Sequence, residues 1–355
     1  MAYTTIDDPS AHFQTKIYAG TGSAQSLTND GNSNLKPDWI WFKNRSTTSA
    51  NSLIDSSRGA SVRLRSDATD AESSASGNFV SFNTDGFSID GSGSGYNTNS
   101  ENFVAWQWKA NGGTTSSNSD GNITSTVQAN TTAGFSIVTF TGNGNNDATI
   151  GHGLGTTPAM IITKNRDDAV LWRVWHQNLT STNVLFLNED FAQTAPSGHS
   201  NGYIKTVGSS TYSVYQGNSD TNGVNGSSDN MIAYCFAEKQ GYSKFGSYTG
   251  NASSSDGPFI YTGFKPAFFL IKSIGAARFW HILDNKRNTI NPVNLYLNPN
   301  NSDADGTFVF GDFLSNGFKI TNNGNTFNTN GETYIYMAFA EHPFVSSKGV
   351  PTTAR

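Results

Sequence analysis

The chain is poor in charge, in cysteine and in helix-forming runs. Charged residues make up only 14% of the 355, with 22 basic against 27 acidic and no basic cluster, so a nucleic-acid partner is not expected. Cysteine occurs once, at Cys235, which excludes an internal disulfide. No apolar run approaches the ~20 residues of a membrane-spanning helix, and no charged-then-apolar leader opens the sequence, so the expectation is synthesis in a cytoplasm with no membrane insertion. The six histidines, His12, His152, His176, His199, His281 and His342, include no His-x-x-x-His pair, so a helical metalloenzyme signature is lacking. Long stretches of Ala, Leu, Glu and Lys at a 3.6-residue period are missing too, which excludes a helical bundle.

What the chain does have is a text written three times. Pro, five mostly apolar residues and Lys recur as PDWIWFK at 37–43, PAMIITK at 158–164 and PAFFLIK at 266–272. Each is preceded by an aromatic-x-Gly turn ending at Gly20, Gly142 or Gly250, and twelve residues after each Lys stands a polar residue: Asp55, His176 or Asp284. Each copy closes on an apolar segment, FVAWQW at 103–108, MIAYCF at 231–236 and YIYMAF at 334–339. The periods, 121 and 108 residues between the prolines, far exceed those of solenoids or propellers and are long enough for each copy to bury a core of its own.

Composition names the fold class. Short β-branched and aromatic runs, punctuated by Gly, Asn, Asp and Ser, read as strands and turns. The 7 Trp, 13 Tyr and 24 Phe supply large buried areas to a chain with only 35% hydrophobic residues. The expectation is an all-β chain of three tandem antiparallel β-sandwich domains, jelly-roll or concanavalin-like, at 1–112, 132–240 and 241–355, with a loose Gly/Ser/Asn/Thr-rich linker at 113–131. In the first copy strands are expected at 13–18, 39–43, 52–55, 62–65, 79–82, 86–89 and 103–109. The overlaid closing segments put Val104, Trp106 and Trp108 on one apolar face, matched by Ile232, Tyr234 and Phe236 and by Ile335, Met337 and Phe339. The opposite face, with Gln107, suits a partly covered sheet, and Cys235 falls where the other copies have Gln107 and Ala338, a packing position. The first dozen residues and the tail after Pro343 read as irregular segments, either of them a candidate attachment arm.

Candidate sites are few. The repeated polar position, Asp55, His176 and Asp284, reads either as a repeated site or as a cross-strand partner of Lys43, Lys164 and Lys272. Alternating oxygens around a Gly turn give two loops a calcium-like rhythm: Asn301, Asp303 and Asp305 with Asp312, and Asn218, Asp220 and Asn222 with Asp229. Both lack the closing bidentate Glu, and turn chemistry accounts for them as well; calcium is the one cofactor the pattern admits. Tyr96 and Tyr212, set among Gly, Asn and Ser, are the candidate ligand-contacting aromatics, or else ordinary residues packed on their own domain.

The stretches ATIGHGLG at 148–155, AYCFAE at 233–238, GYSKFGSYTG at 241–250, DNKRN at 284–288 and AFAEHPF at 338–344 carry a resemblance. They are similar to virion proteins of tailed bacteriophages, especially marine ones, commonly labelled tail fibres or concanavalin-like adhesins. The resemblance extends over nearly the whole chain and implies a virion location, other virion proteins as partners, a homo-oligomer with a trimer favoured, and contact with host surface polysaccharide. It brings no catalytic motif, and the coiled-coil or collagen-like stem of a fibre is missing. Three functions follow: an adhesin for host glycans, a non-binding capsid-decorating or tail-connecting protein, and, last, a polysaccharide-degrading enzyme, which needs two carboxylates about 5–10 Å apart. Glu101, Glu189, Glu238, Glu332 and Glu341 are the glutamates open to that role, but Glu238 and Glu341 are equivalent residues after the closing segment, a mark of fold chemistry. The expectation is therefore no enzyme.

Overall fold

The computed structural model describes residues 2–75, 78–91, 95–195, 202–216 and 223–352. Its strands pair antiparallel, and among the described residues the one helical element is a 3-10 turn at Pro9–Ala11. Three four-strand arrangements repeat the same order. In the first unit the strands Phe13–Ala19, Asn102–Trp108, Trp39–Asn44 and Ser52–Asp55 lie side by side. In the second the order is Phe135–Thr141, Asn230–Phe236, Met160–Asn165 and Arg173–His176, and in the third Ser243–Thr249, Thr333–Pro343, Phe264–Ser273 and His281–Asp284. The Pro-to-Lys phrase is thus the equivalent strand of three equivalent sheets, always paired with the closing strand. A smaller outer sheet accompanies each: Gln25–Leu27, Phe87–Ile89 and Phe79–Phe82; Ala148–Gly151, Thr211–Tyr215 and Tyr203–Val207; and Phe259–Tyr261, Gly317–Ile320, Gly306–Leu314 and Val293–Tyr296.

The run of five apolar residues after each Pro now has a cause. A strand with one wet face alternates apolar and polar residues, whereas a strand buried on both faces need not. Ile40 and Phe42 enter a cluster inside the first unit with Phe87 and Ile89 of its outer sheet. Trp39 and Trp41 point the other way, into a second cluster to which all three units contribute: Trp106 and Trp108, Ile162, Tyr234 and Phe236, Phe268, Met337 and Phe339. Ile161 of the second unit and Phe269 and Ile271 of the third likewise serve their own unit's core. Three inner sheets therefore turn their backs on private cores and face one shared core.

That arrangement corrects four expectations. The face of the closing strand that carries Gln107 is covered, because the outer sheet lies over it; Gln107 is fully buried, and its amide exchanges hydrogen bonds with Asn29 at 2.7 and 3.2 Å. The segment 113–131 is not a loose linker: Ser116–Asn118 and Ser125–Asn130 are strands that extend the second unit's inner sheet beyond Phe135–Thr141. Val127 and Ile123 anchor it in that unit's core. The first dozen residues are no outlying arm either. Tyr3 donates to the Gly263 carbonyl at 2.8 Å, Thr4 donates to Gln240 at 2.8 Å, Ile6 enters the shared core, and Asp7 accepts from the Ser347 amide of the tail at 2.6 Å. Both terminal segments are laid against the third unit, which ties the first unit to the last. The strand expected at 62–65 is only the two-residue Val62–Arg63.

The repeated turn glycines have a shared steric reason. A Cβ on Gly20, Gly142 or Gly250 would stand 2.0, 2.1 or 2.3 Å from a carbonyl oxygen, those of Thr98, Gly226 and Thr329. Beside each turn a fully buried Asn side chain, Asn97, Asn225 or Asn328, accepts from the next amide, of Thr21, Asn143 or Asn251, at 2.8 to 3.0 Å.

Trp106→Ala removes an indole at the junction of two units and should cost roughly 3–5 kcal/mol. Gln107→Ala leaves Asn29 without its partner and should cost about 1–3 kcal/mol. Urea melts of both variants check the pair; a neutral Gln107→Ala would contradict the covered face.

Candidate functional site

The residues the sequence singles out as a repeated polar position meet at the seams between units. Asp55 lies across from Trp39 in the strand register, His176 across from Met160 and Asp284 across from Phe268, so none of them sits opposite its Lys. The cross-strand ion pair expected with Lys43, Lys164 and Lys272 is not formed. Each polar residue reaches instead into the next unit. Asp55 accepts from the Tyr234 hydroxyl of the second unit at 2.8 Å, and Asp284 accepts from the Trp106 indole of the first at 3.0 Å. The Nε2 of His176 lies 3.2 Å from the Tyr336 carbonyl of the third. The contacts run first to second, second to third and third to first, a closed ring of threefold character.

Two seams share an ion network. Asp55 receives Arg58 Nε at 2.5 Å, Arg58 reaches Glu72 at 3.0 Å, and Glu72 takes both a guanidinium nitrogen pair from Arg166 of the second unit at 2.9 Å. Asp284 receives Arg287 Nε at 2.6 Å, Arg287 reaches Asp305 at 2.9 Å, and Asp305 takes Arg45 of the first unit at 2.7 Å. Arg58, Asp55, Arg287 and Asp284 are fully buried side chains. Burial alone would lower the Arg58 guanidinium, but Asp55, Tyr234 and Glu72 outweigh it and hold the group above its ordinary value. Among the described residues the third seam carries none of this. Where the others have D-x-x-R it has His176 and Leu179, and where they have a donor on Trp106 or Tyr234 it has Met337.

The lysines of the repeated phrase are buried carbonyl-binding groups. Lys43 donates to Ser49 at 2.6 Å and across the seam to Ser302 at 2.9 Å; Lys272 donates to Ser273 at 2.7 Å and across its seam to Asp190 at 3.1 Å; Lys164 stays within its own unit, on Asn165 and Asp168. Burial pulls their ammonium groups down, Lys43 to about 8 and Lys164 and Lys272 to about 7. Two residues on from each Lys, the carbonyls of Arg45, Arg166 and Ile274 accept an amide of the adjacent unit, from Asp305, Glu72 and Gln193.

The remaining sequence candidates are placed otherwise than expected. Tyr96 and Tyr212 are buried in the private cores of the first and second units and present no ring to solvent. Asp305 belongs to the Arg45–Arg287 network, Asp312 lies within the strand Gly306–Leu314 opposite Lys319, and Asn301 bonds Asp303 in a local turn, so these oxygens do not converge on a point. Among the described residues no cluster of three His, Cys, Asp or Glu suits a metal ion. Of the second loop, Asn218, Asp220 and Asn222 lie outside the described residues, while Asp229 accepts from Asn165 at 2.8 Å.

Clefts border the seams, among them two with aromatic or charged walls. One, of about 280 Å³, is lined by Arg278, Phe279, His281, Tyr296 and Phe308 of the third unit and by Asp190 of the second; Phe279 is 46% exposed. The other, of about 180 Å³, lies between the opening segment and the third unit, with Asp8, Asp30, Lys286, Glu341 and His342 on its walls. Its carboxylates are already engaged: Asp8 by Ser10 and Ser33, Asp30 by Lys16 and Lys286, Glu341 by Lys265. The sequence signal that was open to find the seam networks is the pair DSSR at 55–58 and DNKR at 284–287, against HQNL at 176–179.

Asp55→Asn and Asp284→Asn should each cost about 3–5 kcal/mol, because each leaves a buried guanidinium short of its carboxylate. His176→Asp should destabilise as well, since Leu179 brings no cation to its seam; chemical melts at pH 7 check all three.

No curated protein and no solved structure matches the chain. One family profile does, a domain of unknown function (DUF7483), over residues 8–343, and it runs through all three units without a break. The chain therefore belongs to the DUF7483 family.

Proposed function

We propose that this chain is a non-catalytic structural protein of a tailed-bacteriophage particle, a component of the tail or of the capsid surface that joins or decorates other virion proteins. The observation that carries the reading is where the repeated residues go. Lys43, Lys164 and Lys272, Asp55, His176 and Asp284, and the paired faces of the closing strands hold three units together, and no copy of them lines a reactive cleft. A body built this way transmits load and presents a fixed outline, which is what an assembly part needs.

The glutamates open to glycosidase chemistry, Glu189 excepted, support the same side. Glu238 is paired with Lys244 at 2.5 Å, Glu332 with Arg278 at 2.7 Å and Glu341 with Lys265 at 3.1 Å; Glu101 accepts from Asn44 at 2.5 Å and Glu189 from Asn188 at 3.1 Å. A general acid needs a proton at working pH, and against the effect of burial Arg278 and Ser273 hold the Glu332 carboxyl below its ordinary value; burial and the neighbouring Asp190 raise that of Glu189. Virion symmetry would multiply the ring, and a homotrimer remains part of the proposal.

One observation favours the adhesin as a second reading. The cleft with Phe279, Tyr296 and Phe308 sets aromatic faces beside Asp190 and Arg278, and a sugar offers an apolar ring face together with hydroxyls for such groups. Tyr96 and Tyr212 no longer serve that reading, being buried.

Purified particles should contain the chain in a fixed copy number, at one position of a cryo-EM map, in contact with other virion subunits. Its absence from particles, together with turnover of a polysaccharide by the soluble protein, would overturn the proposal. Virions carrying Phe279→Ala should assemble normally; slowed adsorption to host cells would assign the cleft to glycan contact, and an unchanged rate would leave the protein purely structural.

A further inference from the structure

We infer that the seam between the second and third units is an acid-sensitive hinge: protonation of His176 opens it about the short connection at 238–242, while the other two seams stay shut. The inference goes beyond the proposed function and does not depend on it.

Three equivalent seams in one molecule make the comparison internal. Two are closed by a buried Asp–Arg pair, an aromatic donor and a further acid–Arg bridge between units. They are also closed by rings. Trp39 stacks on Tyr234 at 4.4 Å, and Phe268 meets Trp108 at 5.4 Å and Trp106 at 6.0 Å. The residue equivalent to Trp39 and Phe268 in the second unit is Met160, and the one equivalent to Tyr234 and Trp106 in the third is Met337. The seam they form has Leu179 for the Arg and His176 for the Asp. It keeps the backbone bonds of Gln193 to Ile274 at 3.0 Å and of Arg278 to Asp190 at 2.7 Å, Lys272 on the Asp190 carbonyl at 3.1 Å, the Trp280 indole on the Phe186 carbonyl at 2.9 Å, Gln177 on the Phe245 carbonyl at 2.6 Å, and the ring contacts of Phe236 with Phe245 and Phe339 at 6.1 Å.

The bonds of His176 fix its protonation. Nδ1 accepts from the Asn178 amide at 3.1 Å, so the ring proton belongs on Nε2, where it is donated to the Tyr336 carbonyl of the third unit at 3.2 Å. A second proton has to go on Nδ1, where it meets the Asn178 N–H donor head-on and places a charge in an apolar seam. The neighbours offer no relief. Phe245 packs at 6.5 Å between ring centres and Met160 lies opposite in the sheet. From the third unit's first strand, Lys244 is paired with Glu238; from its closing strand comes Glu332, held by Arg278; Lys272 donates to the Asp190 carbonyl across the seam, and His281 lines a cleft with Asp190. On the His176 ring burial, which lowers its affinity for protons, outweighs the Tyr336 carbonyl, which raises it.

The sign follows from linkage. Burial draws His176 down to about 4, below the ordinary 6.5, so the unfolded or opened chain binds the proton more tightly. The stability that neutral His176 contributes to the seam is fully present above pH 6.5 and is lost as pH falls toward 4. His281, which borders the same seam through the cleft it shares with Asp190, is lowered by burial to about 3 and acts in the same direction at lower pH. The chain passes directly from one unit to the other through 238–242, so this seam can part without separating the units.

Hydrogen exchange of the full-length protein, corrected for the intrinsic pH dependence, is the test. Between pH 7 and 4.5, protection of 173–179 and 333–339 should fall at least tenfold, with 52–58, 230–236, 102–108 and 281–287 unchanged. His176→Gln, neutral throughout, should remove the pH dependence. If it fails to fold, the graft His176→Asp, Leu179→Arg, Met337→Tyr gives this seam the parts of the others and should make it resistant to acid. Equal loss of protection at all three seams, or an onset unchanged in whichever variant folds, would overturn the inference.

Discussion

Everything in this fold depends on the closing strands being covered on both sides. An antiparallel sheet is ordinarily dry on one face, and a sandwich of two such sheets has a single core. Here each inner sheet has a private core on one side and the shared aromatic core on the other. A unit taken alone would expose Trp39, Trp41, Trp106 and Trp108, or their counterparts, to water, an apolar patch large enough to drive association. The three units are parts of one body, and the family profile that spans them treats them the same way.

Burying the second face creates an electrostatic problem that the seams solve. The strand edges there carry polar groups out of water, and each needs a partner. Two seams supply buried ion networks whose carboxylates are fully satisfied, Asp55 by Arg58, Tyr234 and local amides, Asp284 by Arg287, Trp106 and local amides. Removing one member of such a network is costly, while replacing all of it by apolar groups need not be. The seam of His176, Leu179 and Met337 lacks the acid, the arginine and the aromatic donor together. Acid, arginine and donor change together or not at all, which is how mutually dependent groups behave.

The all-β class, the repeat, the equivalence of the Pro-to-Lys strands and most of the first unit's strands were legible in the sequence, because they rest on local signals: period-two alternation, turn residues and spacing. The relation between copies was not legible, because alternation records that a face is buried and not what buries it. Trp106 and Gln107 show the limit: both are fully buried, and only one of them looks it. Asp55 and Asp284 were visible as a repeated position, but their partners Tyr234 and Trp106 are 179 and 178 residues away and no local rule joins them. Arg58 and Arg287 were in reach, three residues on, in two copies of three. Tyr96 and Tyr212 sit among Gly, Asn and Ser, the signature of exposed tips, yet Tyr212 lies within the strand Thr211–Tyr215 and both rings are buried in the cores of their own units.

The central claim, one cooperative body rather than three beads, is tested most directly by scanning calorimetry of the full-length protein at neutral pH. A single transition whose calorimetric and van't Hoff enthalpies agree is the predicted result. Resolved transitions for the separate units, each with the enthalpy of a domain of about 110 residues, would contradict it.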